Sequence, residues 1–184
     1  MTRFADLPPQ KWTTEQRAVA EDIVAGPRGA VGGPFPTWLR KPDLASRLQK
    51  LGEYIRFQRD LPIKYVSFAI LMTARHWRCQ YEWDFHTKTA LQAGVSQRAI
   101  DRILANETPD DLSDDELAIY DFCRTLHRDR GVSDAQFAAA RDVVGEEGVV
   151  ELLAISGYYT MMALALNVSE VPPTSGVRTE FPDG

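Results

Sequence analysis

Three residues whose side chains can do chemistry lie close together in the run ARHWRCQYEWDFH: Cys79, Glu82 and His86. At about 100° of rotation per helical residue, Glu82 lies about 60° from Cys79, and His86 lies about 20° from it on the same side. The spacing therefore predicts one helix face that carries a thiol, a carboxyl and an imidazole. Such a set can transfer a proton, activate a nucleophile or bind a metal ion.

His86 and Glu82 form the candidate proton-transfer pair. Imidazole titrates closest to neutral pH of all side chains, which suits general acid or base catalysis. Glu82 lies among Tyr81, Trp83 and Phe85, and a carboxylate in an aromatic environment needs a partner to remain charged. Each residue also has an ordinary interpretation. His86 could be a core histidine held by a structural hydrogen bond, and Glu82 could be solvated with its aromatic neighbours on other faces.

Cys79 and the nearby arginines extend the candidate site. Cys79 could be a nucleophile if it is partly exposed beside a base, or it could be a buried and inert thiol. Arg75 and Arg78 could attract a carboxylate substrate, because a guanidinium matches a carboxylate in geometry and charge, although surface ion pairs explain them equally well. Four residues make up the predicted substrate-binding set: Arg75, His76, Trp83 and Tyr158.

No metal site is predicted from the histidines of this segment. His76, Glu82 and His86 do not have the HExxH spacing, and the sequence offers no fourth ligand beside them. Cys79 and Cys123 are far apart and show no paired-ligand spacing, so neither a disulfide framework nor a cysteine zinc site is indicated. These features favour a reducing, cytoplasmic environment.

Composition narrows the classes of protein that the chain can belong to. The chain has 184 residues, 44% of them hydrophobic and 26% charged, which is ordinary for a soluble globular protein. The net charge of -5 argues against nonspecific binding of nucleic acid, which depends on Lys and Arg. The N-terminus lacks an apolar secretion signal, and Arg75 and Arg78 interrupt the apolar run at 65–74. We therefore expect no nucleic-acid or membrane partner.

Capping residues and prolines predict where the helices begin. A first helix is expected from Thr13 to about Val24, and a loop is expected at 26–36, which is rich in glycine and proline. Other helix starts are predicted at Pro42, Pro62, Ser96, Ser113 and Ser133. A buried stripe is predicted from four apolar residues at helical spacing: Leu44, Leu48, Leu51 and Ile55.

The remaining pattern predicts an all-α fold. The segment 65–74, YVSFAILMTA, is apolar nearly all round and should be the central helix, and a last helix should run from about Gly148 to Leu166. No alternating run is long enough to predict a strand. We predict a single all-helical domain over residues 1–170, followed by an extended C-terminal tail at 171–184, which is rich in proline.

The stretch ARHWRCQYEWDFHTKTALQAGVS, followed later by GYYTMMALALNV, resembles the carboxymuconolactone decarboxylase family within the alkylhydroperoxidase D-like superfamily. The resemblance covers about residues 40–170. It implies an all-α, alkylhydroperoxidase D-like helical bundle with a buried helical hairpin. It also implies assembly into homo-oligomers, as dimers, trimers or hexamers.

The peroxidase branch of this superfamily carries C-x-x-C-x-x-x-H, with two reactive thiols and a glutamate one helix earlier. Cys79 matches the first thiol and His86 matches the histidine. Glu82 stands at the position of the second thiol, and Ser67 stands at the position of the upstream glutamate. A two-cysteine peroxidase cannot close its usual disulfide cycle without a second thiol nearby. Cys123 could replace it only if folding brings the two cysteines together.

The decarboxylase branch is the better match to these residues. It implies a lyase without a cofactor that removes carbon dioxide from a lactone carboxylate and reprotonates the resulting carbanion. His86, supported by Glu82, could supply that proton, with Cys79 as the third candidate catalytic residue. We therefore expect a lyase acting on a small carboxylated lactone or ring acid. Two alternatives remain: a thiol-dependent peroxide reductase of peroxiredoxin type, and a non-catalytic oligomeric binder of a small ligand.

Overall fold

The computed structural model describes residues 3–182, which form eight α-helices and contain no strand. This confirms the predicted all-α fold. A 3₁₀ turn at Pro9–Lys11 precedes the first helix, and a π-helical turn at Tyr54–Gln58 follows the third. The helices are α1 (Thr14–Ala25), α2 (Phe35–Trp38), α3 (Pro42–Glu53), α4 (Ile63–His76), α5 (Gln80–Gln92), α6 (Gln97–Leu104), α7 (Asp114–Asp129) and α8 (Asp134–Ser169).

The described chain divides into two compact units. The first contains residues 3–59 and 165–171, and the second contains residues 60–164 and 172–182. In the first unit, α3 packs against α1 and α2. Ala20, Leu39 and Ala45 form its core. The side-chain amide of Gln16, which is buried, donates to the carbonyl of Leu39 at 3.0 Å.

The predicted buried stripe of α3 is only half right. Leu48 and Ile55 are buried, but Leu44 and Leu51 are 41% and 40% exposed. The helix instead buries Ala45, Leu48, Gln49 and Gly52, which form a face turned by about one residue from the predicted one. Ala and Gly let neighbouring backbones approach closely, so this face packs well although it contains fewer large apolar side chains.

In the second unit, α4 is the central helix, as predicted. It packs against α5, α6 and α7, and every residue from Val66 to Arg75 is buried. A tight turn then joins α4 to α5 and makes the two helices a hairpin. Arg78 adopts the left-handed conformation in this turn, with φ 47°. The amide of Cys79 donates back to the carbonyl of Ala74 at 2.9 Å, which closes the turn.

Four of the predicted helix starts are confirmed by hydrogen bonds at the caps, whereas the starts at Pro42 and Pro62 are confirmed by the helix bounds alone. Thr13 and Ser113 each accept from the amide three residues later within complete capping boxes. Ser133 makes the same reciprocal pair with Gln136. Ser96 accepts from the amide of Ala99. Caps are local interactions, which explains why the sequence identifies them.

A non-helical residue, Gly145, divides α8 into two helical parts, in agreement with the predicted helix start at Ser133 and the predicted last helix from about Gly148. There φ is 71° and ψ is 175°, a conformation that is essentially restricted to glycine. Just after the break, a Cβ at Gly148 would lie 2.6 Å from the Cβ of Val144. The absence of a side chain at Gly148 therefore allows the helix to continue close to Val144. The sequence prediction placed the start of the last helix at this second glycine.

One helix of the described chain, α8, is long and apolar enough to cross a membrane by length and composition. However, 56% of its most apolar window is buried inside the protein. The buried core helix of a soluble protein passes the same test, so this pattern is weak evidence for a membrane span.

Candidate active site

Helix α5 brings the carboxyl group of Glu82 and the imidazole of His86 together in a buried pair. Oε2 of Glu82 lies 3.0 Å from Nε2 of His86, and the two side chains are 5% and 8% exposed. The residues are four apart on one helix, so their side chains extend from adjacent turns of the same face. Glu82 is thus a buried carboxylate with a partner, and the solvated alternative for this residue is wrong.

The second ring nitrogen of His86 remains available. Nδ1 is buried and has no hydrogen-bond partner among the described residues. The ring makes edge contacts with Phe85 and Tyr159, each with centroids 5.0 Å apart. Since Nε2 is committed to Glu82, Nδ1 is the atom through which His86 can accept a proton from a ligand or donate one. A buried polar atom without a partner is uncommon in a protein core and is a candidate contact for a ligand.

Cys79 completes the predicted catalytic group, but as a buried thiol. It is the N-cap of α5 and is fully buried. Burial raises the pKa of Cys79 to about 12, and the Glu82 carboxylate adds to this shift, while the amides of Glu82 and Tyr81 oppose it. The sulfur therefore lies beside the carboxylate and is a neutral thiol at physiological pH. A thiol in this state is a poor nucleophile.

The residues of the predicted substrate-binding set fall into different surroundings. Tyr158 is buried and contacts Tyr159, with centroids 5.5 Å apart, which places it behind the ring that touches His86. Trp83 is buried beneath Phe181 of the C-terminal tail, with centroids 5.7 Å apart. Aromatic side chains thus surround α5 on two sides.

Arg75 and His76 have partners away from the Glu82–His86 pair. Arg75 donates from Nη2 to the carbonyl of Pro182 at 3.0 Å. His76 stacks on His127, with centroids 5.2 Å apart. Within the described chain, neither residue makes a hydrogen bond or an ion pair with Glu82 or His86. The contacts in the structure therefore do not join all four predicted substrate-binding residues into one site.

Sequence reasoning did not identify His127 or Ser156. Nε2 of His127 lies 2.8 Å from the hydroxyl of Thr73, and burial together with the neighbouring His76 lowers the pKa of His127 to about 4. The hydroxyl of Ser156 is buried without a partner in the described chain, one helical turn before Tyr159. A histidine in the charged end of a helix and a serine in an apolar helix carry little local signal.

Two residues that matter for peroxidase chemistry have structural surroundings. The hydroxyl of Ser67 donates to the carbonyl of Ile63 at 2.8 Å, within its own helix. Cys123 is fully buried and has a free thiol, and burial raises its pKa to about 12. Both cysteines are therefore protonated thiols at neutral pH.

Solved structures of other proteins share the fold of this chain. The alkylhydroperoxidase AhpD core structure of an uncharacterized peroxidase-related protein from Ralstonia eutropha JMP134 is 16% identical, with a TM-score of 0.75, and the match covers 97% of this chain and 98% of that one. The debrominase Bmp8, in its apo form, is 15% identical over 92% of this chain and 91% of its own, with a TM-score of 0.70. These likenesses establish an AhpD-like helical fold.

Part of the sequence matches a known family model. Residues 42–125 match the family model described as the carboxymuconolactone decarboxylase family. The matched segment contains α4, the turn at Arg78 and all of α5, so it includes Cys79, Glu82 and His86. No curated protein matches the chain at a significant level.

Proposed function

We propose that the protein is a lyase that removes carbon dioxide from a small carboxylated lactone or a related ring acid without a cofactor. The observation that carries this proposal is the buried Glu82–His86 pair, with Nδ1 of His86 unpartnered. A general acid of this kind is what decarboxylation requires, because the carbon that loses carbon dioxide must gain a proton.

The proposed reaction has two steps. The bond between the ring carbon and the carboxylate breaks, carbon dioxide leaves, and the electron pair remains on the carbon, delocalised towards the ring carbonyl. Imidazolium His86 then transfers the proton of Nδ1 to that carbon and becomes neutral. Glu82 accepts the Nε2–H throughout, which fixes the ring orientation and stabilises the imidazolium before transfer.

The aromatic surroundings suit this chemistry. Tyr159 and Phe85 flank the imidazole of His86 and reduce its contact with water. Charge interactions are stronger where water is excluded, so the pairing of Glu82 with His86 gains strength from burial. Tyr158, which packs on Tyr159, supports this wall.

A thiol-dependent peroxide reductase is the less favourable reading of the same site. Peroxide reacts with the thiolate, and the pKa of about 12 leaves almost no thiolate on Cys79 at neutral pH. Glu82, not a second thiol, is the neighbour of Cys79.

A debrominase with this fold has been solved as a cysteine-to-alanine variant with 2,3,4-tribromopyrrole; it is 14% identical over 92% of each chain, with a TM-score of 0.70. Ring substrates are therefore compatible with the fold.

The proposal is tested by incubating the protein with a panel of small lactone carboxylates and ring acids in D₂O. We expect carbon dioxide release and one deuterium on the carbon that carried the carboxylate, because the proton of His86 exchanges with solvent. Release of carbon dioxide with no deuterium at that carbon would exclude His86 as the donor. Reduction of hydroperoxides with a dithiol, in the absence of any decarboxylation, would favour the thiol-dependent alternative.

A further inference from the structure

The C-terminal tail runs along α5 and is held by polar contacts at three places. The carboxylate of Asp84 accepts from the hydroxyl of Thr174 and from the amide of Ser175. The side chain of Gln80 makes two hydrogen bonds of 2.8 Å with the backbone of Thr179, one as donor and one as acceptor. The tail is therefore docked by specific hydrogen bonds.

The third place is the guanidinium of Arg75. Its Nη2 donates to the carbonyl of Pro182, while Nε, on the same edge of the guanidinium, is buried without a partner in the described chain. Nη2 of Arg78 also points to the carbonyl of Pro182, at 3.5 Å. One carbonyl oxygen thus occupies an edge that can hold two oxygens. A carboxylate would fill both donors, because its oxygens match the guanidinium fork.

The charges around Arg75 also favour an anion. Arg75 is only 8% exposed, and none of the described residues forms an ion pair with it. Burial and the positive charges of Arg78 and Arg124 lower the pKa of Arg75. A neutral carbonyl does not compensate a buried positive charge, whereas a carboxylate does. Arg78 reaches this position from a left-handed backbone conformation, which is costly for a residue other than glycine.

We propose that the Nε and Nη2 edge of Arg75 is a carboxylate-binding site, and that the docked tail and a carboxylate ligand compete for it. The tail occupies the site through the carbonyl of Pro182 and covers Trp83 with Phe181. A bound carboxylate displaces the end of the tail and exposes Trp83. The inference stands on Arg75 and the tail alone, so it is independent of the proposed lyase reaction.

The test uses acetate as the carboxylate, with acetamide and an equal ionic strength of sodium chloride as controls. The amides of Ser175 and Thr179 are hydrogen-bonded only while the tail is docked, so their hydrogen exchange reports on docking. We expect acetate to accelerate exchange of both amides and the controls to leave it unchanged. Equal acceleration by acetamide or chloride, or no acceleration by acetate, would overturn the proposal.

A second measurement weakens the docking of the tail, which competes with the carboxylate. Phe181→Ala deletes the edge contact with Trp83 and weakens tail docking, so acetate should bind more tightly by about 2- to 10-fold, the usual value of one aromatic pair. Binding is followed by the NMR signal of the Arg75 Nε–H. Unchanged acetate affinity in Phe181→Ala would contradict the competition. Arg75→Lys keeps the positive charge but lacks the paired Nε and Nη2 donors. Acetate should therefore no longer accelerate hydrogen exchange of the tail amides in this variant. If Arg75→Lys fails to fold, the Phe181→Ala result decides alone.

Discussion

Burial gives the polar residues of this site their individual properties. Glu82 and His86 are buried together, with 3.0 Å between Oε2 and Nε2, whereas Cys79 is buried with a carboxylate beside it and is a neutral thiol. The i,i+4 relation of Glu82 and His86 was predictable from the sequence because it depends on one helix only. The protonation state of Cys79 was not predictable from the sequence, because its burial depends on helices that are distant in sequence and pack against it.

Cys79 should be unreactive in the native protein. At pH 7.5 we expect alkylation by iodoacetamide to be slow in buffer and fast in urea. Burial raises the pKa of the thiol, so little thiolate forms, and it also keeps the reagent away from the sulfur. Mass spectrometry of Cys79 peptides over time measures both rates. Cys123, which is also fully buried, is the internal comparison and should behave in the same way. Rapid native alkylation confined to Cys79 would show a reactive thiol.

His127 should make the fold sensitive to acid. Its folded pKa of about 4 is below the unfolded value of about 6.5, so protons bind the unfolded state more tightly. The free energy of unfolding should therefore be unaffected above pH 6.5 and should fall as the pH drops from 6.5 towards 4. Between pH 7 and pH 5, His127 should contribute a loss on the order of 1 kcal/mol.

The matched variant is His127→Gln, which keeps a polar group near Thr73 but cannot titrate. Urea unfolding at pH 7 and pH 5 gives the loss of stability for each protein. The loss should be smaller in His127→Gln than in the original chain. Equal losses in the two proteins would show that His127 does not contribute.

At the scale of the helices, the sequence specified starts better than faces. Caps such as Thr13 and Ser113 were predicted correctly because they involve residues three apart. The buried face of α3 was misjudged because Ala45 and Gly52 are buried in place of Leu44 and Leu51, and only the neighbouring helices determine that. The partners of Arg75 and Trp83 were also missed, since they come from the tail about 100 residues later.

Gly145 should be essential to the break in α8. Its φ of 71° with ψ of 175° is strained for any residue with a Cβ, so Gly145→Ala should destabilise the protein by about 1–3 kcal/mol. Gly131→Ala is the control, because a Cβ there meets nothing within 4 Å and its φ is not in the left-handed range. The control should change stability by less than about 0.5 kcal/mol. Urea unfolding compares the variants, and similar stabilities would refute a special role for Gly145.

At the scale of the whole molecule, apolar residues of α8 remain uncovered. Val150, Leu153, Met161 and Leu164 are 36–64% exposed and recur at helical spacing. The aromatic residues near this helix are used within the chain: Trp83, Tyr158 and Tyr159 are buried, and Trp77 donates to Thr160. An exposed apolar stripe of this kind commonly marks a contact between proteins.

We propose that this α8 stripe is the contact between subunits of a homo-oligomer. The family resemblance implies assembly, and a face without charge can pair with a second copy of itself. Light scattering at micromolar concentrations should report a dimer, trimer or hexamer, and Leu153→Glu should reduce its size. Glu147→Lys, on the same helix but outside the stripe, should not. A monomer at all concentrations in the original chain would contradict the proposal.

The central claim is that His86, supported by Glu82, transfers the proton while Cys79 does not take part. The most direct measurement is the rate of carbon dioxide release from an accepted lactone carboxylate by the original chain, His86→Gln, Glu82→Gln and Cys79→Ala, each checked for helical circular dichroism. We predict that His86→Gln loses about 10²–10⁴-fold in rate, that Glu82→Gln also lowers the rate because the orientation of the imidazole is lost, and that Cys79→Ala retains most of its activity. Full activity in His86→Gln, or loss of activity in Cys79→Ala, would contradict the account.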